Sequence, residues 1–196
     1  MHSNASELVF ATNNSHKLSE AQNYIGKRFE LIPLANLGFY DDIPEDHETL
    51  EENALQKVRY IYSYFNRNCF ADDTGLEVEA LNGRPGVHSA RYAGESKDPK
   101  ANIKKLLDEL HGVKNRNARF RTVIALIIEG HEYIFEGIVD GKIIEDEKGA
   151  DGFGYDPVFL PNGYNQTFAE MNLTQKNKIS HRAQALAKLA DFLYKR

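Results

Sequence analysis

Two adjacent carboxylates follow a short apolar run in the segment Phe70-Ala71-Asp72-Asp73-Thr74-Gly75-Leu76. Carboxylate oxygens can hold a hard metal ion such as Mg²⁺. An apolar run that ends in Asp-Asp-Thr-Gly predicts a buried strand leading into a tight turn, which would hold both acids at the edge of a cleft. The same residues are also ordinary turn residues. The local sequence therefore leaves a metal site and a simple turn as equal alternatives.

A second candidate site lies near the N-terminus, where an apolar run at residues 8–11 precedes the polar segment 12–17. Apolar residues at helical spacing follow, so a strand, a polar loop and a helix are predicted in that order. The positive end of the helix would then favour a phosphate in the loop, and Lys17 would add a charge. The alternative, which the local sequence favours, is that Asn14 or Ser15 caps the helix and Lys17 is solvated.

Two loops have the composition of ligand-binding segments. Residues 149–156 are rich in glycine and contain Phe153 and Tyr155, and such a ring can stack on a nucleobase. Residues 41–48 form an acidic loop that either is a solvated run of charge or supplies a metal ligand. The sequence alone favours the solvated run.

The last helix is predicted to begin after Ser180, which places His181 and Arg182 in its first turn, with Lys176 and Lys178 just before it. Cations at this end oppose the helix dipole, so they lack an obvious structural reason. A bound anion would supply one, although solvated basic residues are the commoner explanation.

The periodicity of the remaining chain predicts an α/β fold in a single domain, residues 1–196, with residues 1–6 as a flexible start. Residues 118–129 are apolar on both faces and are expected to form a central strand. Further strands are predicted at residues 29–34, 69–71, 76–81, 132–139, 142–144 and 158–160. Further helices are predicted at residues 50–65, after a Thr49 cap, and 99–110, after an Asp98 cap.

The composition excludes several classes of protein. The chain has 196 residues and a net charge of -5, which argues against a protein that coats nucleic acid. Its single cysteine, Cys69, is expected to be a buried core residue. The N-terminus lacks the features of a secretory signal, and no apolar run approaches the ~20 residues of a membrane helix. We therefore expect a cytoplasmic protein without a membrane or nucleic-acid partner.

Six segments resemble the motifs of the non-canonical purine nucleoside triphosphate pyrophosphatases, also called inosine triphosphatases. The resemblance extends over nearly the whole chain, and six ordered motifs are far more specific than any one of them. The segments are Thr12-Asn13-Asn14-Ser15-His16-Lys17, Thr49-Leu50-Glu51-Glu52-Asn53-Ala54, Ala71-Asp72-Asp73-Thr74-Gly75-Leu76, Arg84-Pro85-Gly86-Val87-His88-Ser89-Ala90-Arg91-Tyr92, Gly152-Phe153-Gly154-Tyr155-Asp156-Pro157 and Ile179-Ser180-His181-Arg182.

The resemblance implies an enzyme that hydrolyses ITP, dITP and XTP to the monophosphate and pyrophosphate. Such enzymes remove deaminated purines from the nucleotide pool before polymerases incorporate them. It also implies an elongated α/β fold with a long mixed central sheet flanked by helices, and an active-site cleft between two lobes. A Mg²⁺ cofactor and a homodimer are expected on the same ground.

The resemblance also assigns roles to individual residues. Asp73 is expected to be a metal ligand and the catalytic base, with Asp72 beside it. Glu45 is the expected second metal ligand, with Glu48 as the competitor, because this acidic loop departs from the Glu-Glu-Thr-Gly pattern of many relatives. The expected substrate-binding residues are Thr12, Asn13, Asn14, Ser15, His16, Lys17, Thr74, Phe153, Gly154, Tyr155, Asp156, Lys176, His181 and Arg182.

The corresponding hypothesis for the reaction is that Mg²⁺ held by Glu45 and Asp73 bridges triphosphate oxygens while a water attacks the α-phosphorus. Lys17 and Lys176 would offset the charge on the leaving pyrophosphate. Asp73 is either the base or only a ligand, because an unperturbed aspartate has a pKa of ~3.9 and is a weak base at neutral pH. A hydrogen-bond donor from His181, Arg182 or nearby backbone would bind the carbonyl of hypoxanthine or xanthine, whereas adenine would leave that donor unpaired.

Two other functions stay open at this point. One is a Maf-like pyrophosphatase that acts on other modified nucleotides, and the other is a nucleotide-binding regulator without turnover. Retention of Lys17, Asp73 and Arg182 argues against the regulator. Bacterial relatives usually have serine at the position of Thr74, and since threonine keeps the hydroxyl, we expect activity to survive this difference.

Overall fold

The computed structural model describes residues 6–26 and 28–196, which contain both strands and helices. The strands are β1 (Ser6–Phe10), β2 (Phe29–Pro33), β3 (Cys69–Val78), β4 (Pro85–Gly86), β5 (Asn117–Ile128), β6 (His131–Ile143) and β7 (Phe159–Pro161). The helices are α1 (Ser15–Ile25), α2 (Leu50–Phe65), α3 (Pro99–Glu109), α4 (Leu173–Ile179) and α5 (His181–Tyr194). None of the helices in these ranges is both long and apolar enough to cross a membrane.

Seven strands of the described residues form one mixed sheet, in the order β2-β1-β3-β5-β6-β7, with β4 paired to β3. β1 is parallel to β2 and to β3, and Phe10 lies opposite Phe70. β4 is antiparallel to β3, and β7 is antiparallel to β6. Because parallel neighbours end at the same edge of a sheet, the residues that follow Phe10 and those that follow Phe70 come out side by side.

The chain divides into two compact units, the first formed by Met1–Asp73, Val123–Glu136 and Ala183–Arg196, and the second by Thr74–Thr122 and Gly137–Arg182. The core of the first unit contains Phe10 and Phe70, whose rings stack with centroids 4.2 Å apart. Ile25 of α1 and Leu186 of α5 pack in the same cluster. Each such side chain stabilises the fold by roughly 1.5–3 kcal/mol when it is fully buried.

The second unit has a core of its own, to which α3 contributes Ile103 and Leu106. Three phenylalanine rings lie at its centre, and Phe120 contacts both Phe159 and Phe168, with centroids 4.7 and 6.1 Å apart. β3, β5 and β6 each run from one unit into the other.

Helices α1, α2 and α3 begin at capping residues that the sequence indicated. Asn14 caps α1, Thr49 caps α2, and Asp98 caps α3 with Pro99 in the first turn. The β5–β6 hairpin turns at Glu129 and Gly130, which both have a positive φ. Cys69 is buried, as predicted, and burial raises the pKa of its thiol to about 12.

The tight turn predicted at residues 72–75 is wrong, since β3 continues through both aspartates to Val78. Gly75 does not have a positive φ, so the glycine signal was misread. The predicted strand at residues 76–81 is correspondingly wrong at its end, because Glu79–Leu81 form a 3₁₀ turn.

β6 is also longer than predicted, because it passes through Gly141 instead of breaking there. A side chain at Gly141 would collide with the backbone of Leu160, so this glycine allows a close approach of β7. Helix α4 was missed, although Asn172 and Gln175 form a capping box at its start. Its seven residues are too few to show an apolar period.

Candidate active site

A buried lysine joins two carboxylates in the first unit. The Lys57 Nζ atom lies 2.6 Å from Glu45 Oε1 and 2.9 Å from Asp73 Oδ1. Lys57 projects from α2, Glu45 from the acidic loop and Asp73 from β3, and only 6% of Lys57 is exposed. Charge-assisted hydrogen bonds in such a site are strong, because little water competes for them.

The two neighbouring aspartates point to different partners. Asp72 accepts a hydrogen bond from Lys17 Nζ at 2.8 Å, whereas Asp73 accepts one from Lys57. Successive side chains of a strand project from opposite faces, so the continuous strand separates the two carboxylates. The turn that the sequence suggested would not have imposed this separation.

Burial and charge act against each other in this cluster. Burial alone would lower the pKa of Lys57, but the attraction of Asp73, Glu45 and Asp72 outweighs it and the pKa is raised. Burial raises the pKa of Asp73 more than Lys57 lowers it, so the pKa stays above its ordinary value. Lys57 is therefore a charged lysine at neutral pH, and Asp73 holds a proton more readily than a solvated aspartate does.

The carboxylates of Glu45 and Asp73 suit a hard divalent cation, since they already converge on one positive charge. In residues 6–26 and 28–196, no three His, Cys, Asp or Glu side chains come together as a metal site. Mg²⁺ in nucleotide enzymes often takes only one or two carboxylates, with phosphate and water oxygens as the remaining ligands. Glu48, the competing candidate, is exposed and lies outside the cluster around Lys57.

Segment 12–17 leaves β1 beside Asp72 and leads into α1. Asn14 Oδ1 accepts hydrogen bonds from the backbone N–H groups of His16 and Lys17, so Asn14 caps the helix. Thr12 Oγ1 accepts from the Asn14 N–H, which tightens the loop. Lys17 is not merely solvated, because it reaches the carboxylate of Asp72.

The second unit contains an exposed aromatic ring between two cations. Phe153 is 40% exposed, and its ring centroid lies 4.8 Å from Lys176 Nζ and 5.5 Å from the Arg182 guanidinium carbon. Lys176, which is 5% exposed, also pairs with Asp156 Oδ2 at 2.5 Å. The ring and the cations can contact a flat, electron-rich ligand together.

Asp156 fixes the conformation of the loop that carries Phe153. Its Oδ2 accepts the Phe153 N–H at 2.8 Å in addition to the Lys176 ammonium. Burial raises the pKa of Asp156, against the opposite effects of Lys176 and of the Phe153 hydrogen bond. Gly152 has a φ of +78°, and a side chain there would collide with the Asp156 carboxylate. Only glycine fits this position without a shift of the carboxylate.

Two of the expected substrate-binding residues, Tyr155 and His181, are buried, and their role in binding stays a prediction. Tyr155 lies in the core of the second unit, and its hydroxyl donates to the Ser89 carbonyl at 2.8 Å, so its side chain anchors the loop. His181 is buried and stacks on Phe120 at a centroid distance of 4.7 Å. Arg182 is also buried, so neither residue of the basic helix start is a solvated cation.

The hydroxyl of Thr74 lies 2.7 Å from that of Thr122 on β5, and Thr122 is fully buried. The expectation that Thr74 contacts phosphate stays a prediction.

Lys57 is the member of the site that the sequence interpretation missed. It lies in the buried stripe of α2, beside Ala54, Val58 and Ile61. A lysine in an apolar stripe is unusual, since burying an ammonium without a partner is costly. The position of Lys57 in an apolar stripe could therefore have predicted a buried, paired lysine. It could not have predicted which carboxylates are its partners.

Comparison with known proteins gives full-length matches. Residues 8–192 match the sequence model of the Ham1 family. A protein of Christiangramia forsetii named dITP/XTP pyrophosphatase is 50% identical over 189 residues, which cover 96% of this chain and 100% of that protein. A protein of Porphyromonas gingivalis with the same name is 52% identical over 188 residues, which cover 95% and 97% of the two chains.

The solved structure of the Staphylococcus aureus Ham1 protein is similar to this chain with a TM-score of 0.91 and 40% identity, over 97% of this chain and 99% of that one. The predicted fold class, an α/β fold with a mixed central sheet flanked by helices, is thereby confirmed.

Proposed function

This chain belongs to the Ham1 family, and its relatives named dITP/XTP pyrophosphatase agree with the resemblance to inosine triphosphatases; from that premise we propose that it hydrolyses dITP, XTP and ITP to the monophosphate and pyrophosphate. The observation that carries the proposal is the pair of carboxylates, Glu45 and Asp73, that share the buried ammonium of Lys57. Hydrolysis of a phosphoanhydride needs charge neutralisation and positioning more than a covalent group, and this cluster supplies both.

In the proposed reaction, a water attacks the α-phosphorus and the bond to the β-phosphate oxygen breaks. Mg²⁺, held by Glu45 and Asp73, would neutralise charge on the phosphate oxygens. Lys57 keeps the two carboxylates together, and Lys17 adds positive charge for the departing pyrophosphate. Asp73 is the proposed acceptor of the proton that the water loses. The proximity of Glu45 to Lys57 supports Glu45 over Glu48 as the second ligand.

For the nucleobase, we propose that Phe153 stacks on the purine while Arg182 and Lys176 supply hydrogen-bond donors, so that Lys176 contacts the base instead of the leaving pyrophosphate that the sequence hypothesis assigned to it. Hypoxanthine and xanthine carry an acceptor carbonyl where adenine carries an amino group. A donor in that position would bind the carbonyl, whereas adenine would leave it unpaired at a cost of about 1–3 kcal/mol. The cation–ring distances around Phe153 support this assignment.

We expect the purified protein to release pyrophosphate from XTP, dITP and ITP in the presence of Mg²⁺, with ATP turned over at least about 100-fold more slowly. Removing the metal with EDTA should abolish release, and adding Mg²⁺ back should restore it. Chromatography of the products distinguishes pyrophosphate from phosphate. Equal turnover of ITP and ATP would contradict the proposed base recognition, and preference for a modified pyrimidine would support a Maf-like specificity.

We expect Tyr155→Phe to raise the KM for XTP about fivefold and to leave kcat within about twofold. Loss of one buried hydrogen bond, to the Ser89 carbonyl, costs about 1 kcal/mol, which loosens the loop that carries Phe153. Steady-state kinetics measure both constants. Tyr164→Phe is the control, because Tyr164 is exposed. An unchanged KM in Tyr155→Phe would show that the hydroxyl does not position the loop.

The remaining proposals follow from family membership. We propose from family membership that residues 1–196 act as a single elongated domain with the active-site cleft between two lobes. We further propose a homodimer that acts on nucleotides in the cytoplasm, without a nucleic-acid or membrane partner. The net charge of -5 supports the absence of a nucleic-acid partner.

A further inference from the structure

A buried asparagine of α2, Asn53, binds the backbone of the acidic loop. Asn53 Oδ1 accepts the backbone N–H of His47 at 2.9 Å, and Asn53 Nδ2 donates to the backbone carbonyl of the same residue at 3.1 Å. Only 1% of Asn53 is exposed. One amide side chain thus satisfies both the backbone N–H and the backbone carbonyl of His47.

This attachment is well suited to fix the loop. The buried amide of Asn53 has few alternative partners. If its contact with His47 broke, the donor and the acceptor of the amide would be left unpaired in the protein interior. Because both ends of the amide bind the same residue, the contact restrains the direction of the backbone as well as its distance. His47 lies two residues after Glu45, so the restraint acts close to the carboxylate that pairs with Lys57.

Asn53 and Lys57 lie four residues apart on α2 and therefore share one face of the helix. Through these two buried residues the helix holds the backbone of His47 and the carboxylate of Glu45, and at the surface Gln56 also binds the backbone N–H and the carboxylate of Asp46. Lys57 also binds Asp73. The helix accordingly sets the distance between Glu45 and Asp73.

We propose that Asn53 is a positioning residue, which holds the backbone of His47 so that the Glu45 carboxylate stays within reach of the cation shared with Asp73. The inference rests on the proposed function, because it assigns Glu45 and Asp73 to Mg²⁺. Asn53 acts through His47 and Glu45 and does not itself contact the substrate or the metal.

The chain offers a matched control in Asn102 on α3. Asn102 is also buried, its Oδ1 accepts the Ala93 N–H at 2.6 Å, and its Nδ2 donates to the Ala90 carbonyl at 2.9 Å. Asn53→Ala and Asn102→Ala therefore remove the same two kinds of hydrogen bond. They differ in whether the released backbone lies near a proposed metal ligand.

Three measurements on wild-type protein and both variants test the proposal. For Asn53→Ala we expect the Mg²⁺ concentration for half-maximal pyrophosphate release from XTP to rise about 10-fold or more, as for other residues that orient metal ligands. Raising Mg²⁺ should recover most of the turnover. Asn102→Ala should stay within about twofold of wild type. Without metal, amide hydrogen exchange at residues 45–48 should accelerate in Asn53→Ala alone, and urea unfolding should shift similarly in both variants.

Wild-type Mg²⁺ dependence in Asn53→Ala, or an equal shift in Asn102→Ala, would overturn the positioning role and leave Asn53 a structural residue only. Unchanged exchange at residues 45–48 would also overturn it. If wild-type protein itself released no pyrophosphate, the proposed function would fail, and the metal-free exchange would still decide whether Asn53 holds the loop.

Discussion

Lys57→Met is expected to lower the rate of pyrophosphate release from XTP by at least about 100-fold, the size of effect seen when one preorganised donor is removed from an active site. Methionine keeps the length and the apolar stem but removes the ammonium that lies 2.6 Å from Glu45 and 2.9 Å from Asp73. Without it, the two carboxylates repel each other and favour protonation or separation. Either response would weaken the proposed metal site and the proposed proton acceptor, Asp73.

The control for this variant lies two residues along the same helix. Arg59 pairs with Glu132 at the surface, with side chains that are 56% and 38% exposed. An exposed pair contributes little, so Arg59→Met should keep kcat within about twofold of wild type. Initial rates at saturating XTP and Mg²⁺ give the comparison, and circular dichroism verifies that both variants are folded. Full turnover in folded Lys57→Met would exclude an essential role for the ammonium.

Asp156→Asn is expected to lower the free energy of unfolding by about 3 kcal/mol, because it leaves the Lys176 ammonium buried without its carboxylate. The substitution keeps the shape of the side chain and an oxygen for the Phe153 N–H, so it isolates the effect of the charge. Lys176 and Asp156 have side chains that are only 7% and 3% exposed, which leaves little water to compensate the lost partner. Urea unfolding followed by circular dichroism measures the difference.

The same substitution at an exposed pair provides the comparison. Asp191 and Lys195 lie one turn apart on the surface, with side chains that are 63% and 74% exposed. Pairs of this kind contribute about 0.3–0.5 kcal/mol, so Asp191→Asn should change stability by no more than that. If both variants lost the same stability, burial would not be what makes the Asp156–Lys176 pair important.

Features that depend on neighbours in the chain were predictable from the sequence. The caps at Thr49 and Asp98 involve side chains and backbone groups only two or three residues apart, so the sequence already contains both partners. β2 lies at the edge of the sheet, where Pro33, which lacks a backbone donor, is tolerated.

Features that depend on distant partners were not predictable in this way. The segment Asp-Asp-Thr-Gly has the composition of a turn, yet it is extended. Asp72 and Asp73 pair with Lys17 and Lys57, which lie 55 and 16 residues away in the sequence. Tertiary contacts of this kind override a local preference that amounts to little free energy. The side chain of Tyr155 is a similar case, since its burial depends on packing against the core of the second unit.

The sequence by itself determined the family, the order of most elements and the residue types available for phosphate, metal and base. Only the tertiary structure decided which lysine pairs with which carboxylate. It pairs Asp72 and Asp73 with different lysines, and it brings Asn53 to the backbone of the loop that contains Glu45. The physical reason is that charge and hydrogen-bonding capacity belong to the residue type, whereas the partner of a residue depends on which side chains lie within contact distance. Folding alone sets the distance between residues that are far apart in the chain.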